Sequence, residues 1–194
     1  PEHGMSWMAL GQLHRNAGRH DKAVIFYERA TELMPDRPTL WARLGTSLYR
    51  TGKLPQAVSA LRKAVALDPG AAEAHGNLGV VLRRSGDLEG AIRHLKTAAR
   101  LDPKDAQHQS NLGVALRRAG RLDAAIVASQ VATELAPSEA IYHFNLGVAH
   151  RTNSDPAASI APYTEATRLD PTMADAFWDL GLMHETLGHR PQAV

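Results

Sequence analysis

The sequence predicts an all-α protein built from repeated antiparallel pairs of helices. Five of its eleven prolines stand 34 residues apart, a spacing that chance does not plausibly produce. A Leu-Gly pair and two rows of alanines keep the same period. A fixed period of roughly 20 to 50 residues indicates a repeat architecture, in which each unit stacks on its neighbours. The prolines of the period are Pro35, Pro69, Pro103, Pro137 and Pro171.

Each repeat carries large and small residues at the spacing i, i+3, i+4 and i+7, which is the buried stripe of an amphipathic helix. The i+4 residue is always glycine, although glycine inside a helix costs about 1 kcal/mol relative to alanine. Its recurrence predicts that a second helix packs closely against this point. The glycines of this row are Gly11, Gly45, Gly79, Gly113, Gly147 and Gly181.

A second row of glycines predicts where the first helix of each pair ends, because glycine suits a left-handed C-terminal cap. Ser154 replaces this glycine in the fifth repeat, where we expect Asn153 to adopt the left-handed conformation. Pro162 falls inside a second helix and should kink or loosen it. The capping glycines are Gly18, Gly52, Gly86, Gly120 and Gly188.

These rows resemble the tetratricopeptide repeat (TPR) family, with position 1 at Gly4, Leu-Gly at positions 7 and 8, alanines at 20 and 27, and proline at 32. The resemblance implies a right-handed α-solenoid, the TPR superhelix, formed by a single domain over residues 1–194. Its repeats would cover 4–37, 38–71, 72–105, 106–139 and 140–173, with a partial sixth over 174–194 that stops early in its second helix. Repeat four departs from the pattern at Gln109 and Ser129, which predicts looser packing there.

The resemblance also implies a concave groove lined by positions 2, 5, 6, 9, 12 and 13 of the first helices. Asparagine fills position 6 in three consecutive repeats, and a carboxamide offers both a donor and an acceptor to a peptide backbone. This run is similar to the asparagine ladder of the O-linked N-acetylglucosamine transferase repeats, whose asparagines hold an extended peptide backbone. The alternative is that asparagine serves solubility or hydrogen bonds between helices. The position-6 residues of repeats two to six are Arg43, Asn77, Asn111, Asn145 and Asp179.

Arginines at positions 12 and 13 predict a basic stripe that attracts acidic peptides, because a guanidinium binds a carboxylate in bidentate fashion. The alternative is a simple preference for cations in the last helical turn. The candidate ligand-binding members are Arg83, Arg117 and Arg151. At position 5, Phe144 and Trp178 form a candidate apolar pocket, or else a surface that packs on another part of the protein.

Composition excludes several other classes. The net charge of +2 is too small for a general nucleic-acid or membrane surface, and the absence of cysteine excludes disulfides and thiolate metal sites. The ten histidines fit hydrogen-bonded, half-buried imidazoles better than a metal centre. Phosphate loops, serine elbows and nucleotide fingerprints are missing from the sequence, and so is an apolar stretch of membrane-spanning length. We therefore expect a cytoplasmic protein without cofactor or metal.

The leading hypothesis is a protein-interaction scaffold, and not an enzyme, that binds an extended and acidic peptide in its groove. A second hypothesis is the substrate-recruiting arm of a larger enzyme, such as a glycosyltransferase. A third is a structural module that self-associates through uncapped helix ends.

Overall fold

Helices in sequential pairs make up the protein in this computed structural model, which describes residues 2–188. From the second repeat onward, each first helix begins at position 1 of the 34-residue period. The helices of the described residues are α1 (Glu2–Asn16), α2 (His20–Leu33), α3 (Pro38–Arg50), α4 (Leu54–Leu67), α5 (Ala72–Ser85), α6 (Leu88–Leu101), α7 (Ala106–Arg118), α8 (Leu122–Leu135), α9 (Ala140–Thr152), α10 (Pro156–Leu169) and α11 (Ala174–Thr186). The prediction of an all-α repeat protein is confirmed.

The chain divides into two compact units, Pro1–Leu101 and Asp102–Val194. In the first unit, each of the helices α1 to α6 packs against the next along the chain, and α3 also contacts α5. In the second unit, α7 to α11 pack in the same order, and α7 contacts α9. Of the partial sixth repeat the structure describes α11 and its following turn, and residues 189–194, with Pro191, lie outside the described part.

The glycines at position 8 permit the close approach of the second helix that the sequence predicts. A Cβ atom on Gly147 would lie 2.6 Å from the ring of Tyr163, and one on Gly79 would lie 2.5 Å from the side chain of Leu95. Real Cβ atoms do not tolerate such contacts, so a larger residue would force the two helices apart. Glycine is therefore required where the helices of a hairpin cross.

Repeat four is as tightly packed at this crossing as its neighbours, so the prediction of looser packing is wrong there. A Cβ atom on Gly113 would lie 2.6 Å from the Ser129 hydroxyl and 3.2 Å from the Ala125 carbonyl oxygen. The corresponding distance from Gly79 to the carbonyl of its own second helix is 3.1 Å. The close approach of the two helices thus follows from the glycine of position 8 and the alanine row, and it does not require a large residue at position 24.

The turn after each first helix uses a left-handed residue at position 15, as predicted for the capping glycines. Their φ angles lie between +70° and +94°. In the fifth repeat, Ser154 itself is left-handed with φ of +59°, whereas Asn153 has φ of −79°. The expectation for Asn153 is wrong because the hairpin places the reversal at position 15, whichever residue occupies it.

Proline inside the last complete hairpin does not interrupt its helix. The helix α10 runs continuously through Pro162 from Pro156 to Leu169. Its N-terminus is secured by Asp155, whose carboxylate accepts a hydrogen bond from the Ala158 backbone at 3.0 Å. The missing N–H of one proline removes a single helical hydrogen bond, and the buried contacts of Tyr163 hold this segment in place.

Candidate peptide-binding face

The predicted position-6 residues all lie on first helices and are all half-buried. Each of them directly precedes the position-7 leucine, so its polar group emerges at the border between core and solvent. A half-buried polar group at such a border can be reached by a ligand and is poorly hydrated without one. Arg43 and Asn77 lie in the first unit, and Asn111, Asn145 and Asp179 lie in the second.

The three asparagines differ in their hydrogen bonds. The Asn145 amide nitrogen donates to the Ser110 hydroxyl of α7 at 3.0 Å, which orients its carbonyl oxygen as a free acceptor. Within residues 2–188, the carboxamides of Asn77 and Asn111 make no hydrogen bond. Two asparagines therefore offer a full donor and acceptor set, and the third is held in one orientation.

Arg151 and Asp179 meet through a tyrosine that sequence reasoning did not assign to the site. The Arg151 Nε donates to the Tyr163 hydroxyl at 3.2 Å, and that hydroxyl donates to Asp179 Oδ2 at 3.0 Å. Arg151 Nη2 also lies 3.4 Å from the same carboxylate oxygen. The second unit thus closes an arginine, tyrosine and aspartate triad across α9, α10 and α11.

The electrostatics of this triad favour its charged arginine and its neutral phenol. Burial and the Asp179 charge raise the pKa of Tyr163 to about 12, although the hydrogen bond from Arg151 opposes them. Burial lowers the pKa of Arg151, but its bond to Tyr163 and the Asp179 charge outweigh that effect and leave the pKa raised. Arg151 is consequently occupied by an internal carboxylate.

The other predicted arginines of the stripe occupy the last turns of their helices. Arg83 on α5 and Arg117 on α7 are both half-buried. Burial and the nearby charges of Arg118 and Arg151 lower the pKa of Arg117. A guanidinium stays protonated at neutral pH, so this lowering marks a positive charge that an additional carboxylate would stabilise.

The two predicted aromatic residues have different surroundings. Phe144 is half-buried and packs on the cluster of Val148, Tyr163 and Met183, with its ring centroid 5.8 Å from that of Tyr163. Trp178 is 76% exposed on α11. Phe144 therefore contributes to the core of the second unit, and Trp178 is the member that a ligand can reach directly.

A pocket of about 230 Å³ lies on the first-helix face of the first unit. Arg43 of α3 and Arg15 of α1 both line it, and the buried Tyr27 lies close enough for both charges to act on its phenol. Burial raises the pKa of Tyr27, and the two arginines oppose that rise. The Tyr27 hydroxyl donates weakly to the Gln12 side chain at 3.4 Å.

Ring nitrogens at position 4 tie three of the hairpins to the proline before them. Trp41 donates to the Pro35 carbonyl at 2.7 Å, and the Nε2 atoms of His75 and His143 lie 3.2 and 2.9 Å from the carbonyls of the equivalent prolines. His75 Nδ1 also lies 3.0 Å from His94 Nδ1. Since Nε2 of His75 must donate to its carbonyl, its Nδ1 accepts from His94. These imidazoles are hydrogen-bonded, as the sequence predicts.

No group of three or more histidine or acidic side chains in residues 2–188 is arranged to hold a metal ion. No helix in that part of the chain is long and apolar enough to span a membrane.

Sequence reasoning missed the two tyrosines of position 24, Tyr27 and Tyr163. Position 24 is a buried packing position, and both rings occupy it with 0% exposure. The signal that could have identified them is that repeats two and three carry leucine there and repeat four carries serine. A tyrosine is longer than a leucine, so its hydroxyl reaches past the glycine where the two helices cross. It then lies near position 12 of the same repeat and position 6 of the next repeat.

Comparison with known proteins supports the fold strongly. The Cut9 and Hcn1 hetero-tetramer of APC/C superposes with a TM-score of 0.80 at 25% identity, over 93% of this chain and 36% of that one. YrrB, described as a TPR protein with an unusual peptide-binding site, gives 0.73 at 22% identity and 89% of each chain. MamA from Desulfovibrio magneticus RS-1 gives 0.80 at 22% identity, over 90% of this chain and 98% of that one.

This chain therefore spans about a third of the length of the Cut9 complex chain that it matches. No curated protein matches the sequence. TPR domains generally serve as protein-interaction scaffolds and are typically non-catalytic. One family matches residues 5–179, which is most of the chain, and is described as the cilia and flagella-associated protein 70 C-terminal domain. The chain is a tetratricopeptide repeat protein that belongs to this family.

Proposed function

We propose that the protein is an interaction scaffold whose first-helix face binds an extended segment of a partner protein. The position-6 asparagines carry this proposal. Asn77 and Asn111 are half-buried without a hydrogen bond inside residues 2–188, and Asn145 is oriented by Ser110. A half-buried carboxamide with unused donors or acceptors is stabilised by a ligand that supplies peptide N–H and C=O groups.

Charge on the first helices of each unit favours acidic segments. Arg83 and Arg117 are half-buried cations, and the pKa of Arg117 is already lowered by burial and by neighbouring arginines. A carboxylate near Arg117 relieves that repulsion. Trp178 adds an exposed aromatic surface for an apolar residue of the same segment. The peptide-binding site named for the structurally similar YrrB is consistent with this mode.

The test begins with selection of binding peptides from a displayed random library on the immobilised protein. Affinity of the selected peptides is then measured by calorimetry. The triple variant Asn77→Ala, Asn111→Ala, Asn145→Ala should weaken binding by at least about tenfold, because each lost hydrogen bond contributes about 1 kcal/mol.

The control is the double variant Asn16→Ala, Asn153→Ala, which removes the asparagines outside position 6. It should retain the affinity of the unmodified protein. Equal affinities of the triple variant and the unmodified protein would contradict the backbone-binding role of position 6. Circular dichroism of every variant excludes loss of fold as the cause.

The family description connects its members with cilia and flagella. As part of this proposal, the partner is a protein of such an organelle, and the domain acts there by binding and not by catalysis. A fluorescent fusion expressed in ciliated cells provides the check. A uniform cytoplasmic signal, without enrichment along the axoneme, would count against this part alone.

A further inference from the structure

Two regions at equivalent repeat positions each have an arginine and a tyrosine, but the third residue of the group differs between them. Four periods of 34 residues relate Arg15 to Arg151 and Tyr27 to Tyr163. The same shift relates Arg43 of the first unit to Asp179 of the second. The second unit therefore shows how this local geometry holds a carboxylate, with bonds from Tyr163 at 3.0 Å and from Arg151 at 3.4 Å.

The first unit lacks the internal carboxylate and has a cavity in its place. Arg15 and Arg43 line the pocket of about 230 Å³ on the first-helix face. Among residues 2–188, no carboxylate lies within ion-pairing distance of either guanidinium. The Nε atom of Arg15 is buried and has no hydrogen-bond partner in that range.

A buried donor without an acceptor is destabilising, and a charged donor more so. The Tyr27 hydroxyl is similarly underused, because its contact with Gln12 is long at 3.4 Å. The counterparts of the two donors that hold Asp179 in the second unit, Arg15 and Tyr27, are thus left without a carboxylate in the first, and Arg15 and Arg43 line an unfilled space beside them.

We propose that this pocket of the first unit, lined by Arg15 and Arg43 close to the buried Tyr27, binds a carboxylate of the partner segment in the way that Asp179 is bound inside the second unit. This inference rests on the proposed function and adds its chemical selectivity. Arg151 is already paired, so the first unit, and not the predicted Arg151, is where an acidic residue of the ligand is recognised.

The rest of the lining limits how acidic the ligand can be. Asp68 and Glu73 line the same pocket, and both are exposed. Their charges repel a run of acidic residues and attract a neighbouring lysine or arginine. The ligand that fits is one acidic residue next to a basic one, and the pocket differs in this respect from a receptor for strongly acidic tails.

Nuclear magnetic resonance of the isotope-labelled 194-residue protein provides the experiment. The probe is a blocked peptide Gly-Ser-Glu-Lys-Gly, with the glutamine analogue as its neutral match. The Arg15 and Arg43 Nε–Hε signals should shift saturably with the glutamate peptide only. Arg43→Gln or Arg15→Gln should weaken the effect by about tenfold or more, because a charge-assisted hydrogen bond is lost.

The matched control is Arg62→Gln, which removes an exposed arginine of α4 outside the pocket and should leave the titration unchanged. Equal shifts with both peptides, or no shift up to about 20 mM peptide, would overturn the proposal, since that limit exceeds even millimolar affinity. Unchanged binding by folded Arg43→Gln and Arg15→Gln would do the same.

Further peptides define the carboxylate. A glutamine peptide with a free C-terminus tests the terminal carboxylate as the source, and binding by either source supports the proposal. A phosphoserine peptide that binds more tightly than the glutamate peptide would overturn the choice of a carboxylate. A triple-glutamate peptide should bind more weakly than the single one, and the opposite result would overturn the selectivity assigned to Asp68 and Glu73.

The two proposals fail in distinguishable ways. If the asparagine variants lose peptide binding and Arg43→Gln does not, the scaffold function stands and this pocket is not its acidic subsite. If glutamate binding depends on Arg43 but no longer segment binds through the asparagines, the pocket stands without the extended groove.

Discussion

The Tyr27 region of the first unit and the Tyr163 region of the second share an arginine, a tyrosine and a glycine at equivalent positions. They differ in whether a carboxylate is bound there. Both tyrosines are fully buried against a glycine of the first helix. In the second unit, Asp179 accepts from the tyrosine and pairs with Arg151. In the first, Arg43 stands in the place of that aspartate and lines an open pocket. The two regions thus differ at position 6, where the second unit has a carboxylate that is bound internally and the first has an arginine that lines a cavity.

The largest expected effect tests whether both tyrosines are seated equally. Gly11→Ala and Gly147→Ala should each destabilise the protein by about 2 kcal/mol, because overpacking against a rigid ring outweighs the gain in helix propensity. The added Cβ would lie 2.7 Å from Tyr27 and 2.6 Å from Tyr163. Urea unfolding monitored by circular dichroism measures both changes.

Gly181→Ala is the matched control, since no described atom lies within 4 Å of its added Cβ. It should be neutral or stabilising by up to about 1 kcal/mol. A neutral result for Gly11→Ala beside a destabilised Gly147→Ala would show that the tyrosines are not equivalent.

The next effect concerns the internal carboxylate. Asp179→Ala should cost about 1 to 2 kcal/mol, because it leaves the Tyr163 hydroxyl and Arg151 without their acceptor. The expected loss is limited by the 38% exposure of the Arg151 side chain, which lets water screen the charge. Urea midpoints of Asp179→Ala and Asp179→Asn measure it, and an unchanged midpoint in both would contradict an energetic role for the triad.

The pH dependence of stability should differ between the two units, because their position-4 histidines, His75 and His143, have different partners. Burial lowers the pKa of His75 and of His94, and the charge of His75 lowers the pKa of His94 further. A lowered folded-state pKa means that stability is present above the unfolded value near 6.5 and is lost as the pH falls below it. Between pH 7 and pH 5, the stability of the protein should fall by about 1 kcal/mol, as the His75 to His94 hydrogen bond is lost.

Hydrogen exchange at both pH values locates this change. Amides of α5 and α6 should lose protection at the lower pH. Those of α9 and α10, where the described hydrogen bond of the His143 ring is to the Pro137 carbonyl and not to a second histidine, should lose less. His94→Gln should reduce the pH dependence of α5 and α6. Equal acid sensitivity of both units would argue against the histidine pair as its origin.

The smallest expected effect comes from a substitution that gives the Tyr27 region the aspartate of the Tyr163 region. Arg43→Asp should place a carboxylate near Arg15 and Tyr27 and stabilise the first unit by about 0.5 to 1 kcal/mol. The same variant should abolish the Arg15 signal shift with the glutamate peptide. A destabilised Arg43→Asp would show that the two regions differ in more than their position-6 residue.

Much of the fold follows from the sequence because its physical causes are local. From Pro38 onward, the 34-residue period gives the first residue of every first helix. The glycines of position 15 adopt the left-handed conformation in the turn that follows. Ser154 shows the limit of residue preference. Serine rarely adopts positive φ, yet hairpin closure imposes it there, and Asn153 caps the helix with a negative φ.

The candidate site is less predictable, because its members come from three helices. Sequence spacing places Arg151 and Asp179 on one face but does not reveal that Tyr163 joins them through its hydroxyl. It equally suggests a pair of Phe144 and Trp178, whereas Phe144 packs on the core and Trp178 is exposed to solvent. The roles of the asparagines and arginines in ligand binding stay predictions.

The sequence by itself determines the repeat, the helix boundaries and the glycine at each crossing, since periodicity and backbone sterics act within a single hairpin. Only the tertiary structure decides which polar groups are satisfied. Arg15 and Arg151 look the same in the sequence, yet one meets a cavity and the other a carboxylate. The physical reason is that hydrogen bonding and desolvation depend on the neighbour that the next hairpin supplies, and not on the residue itself.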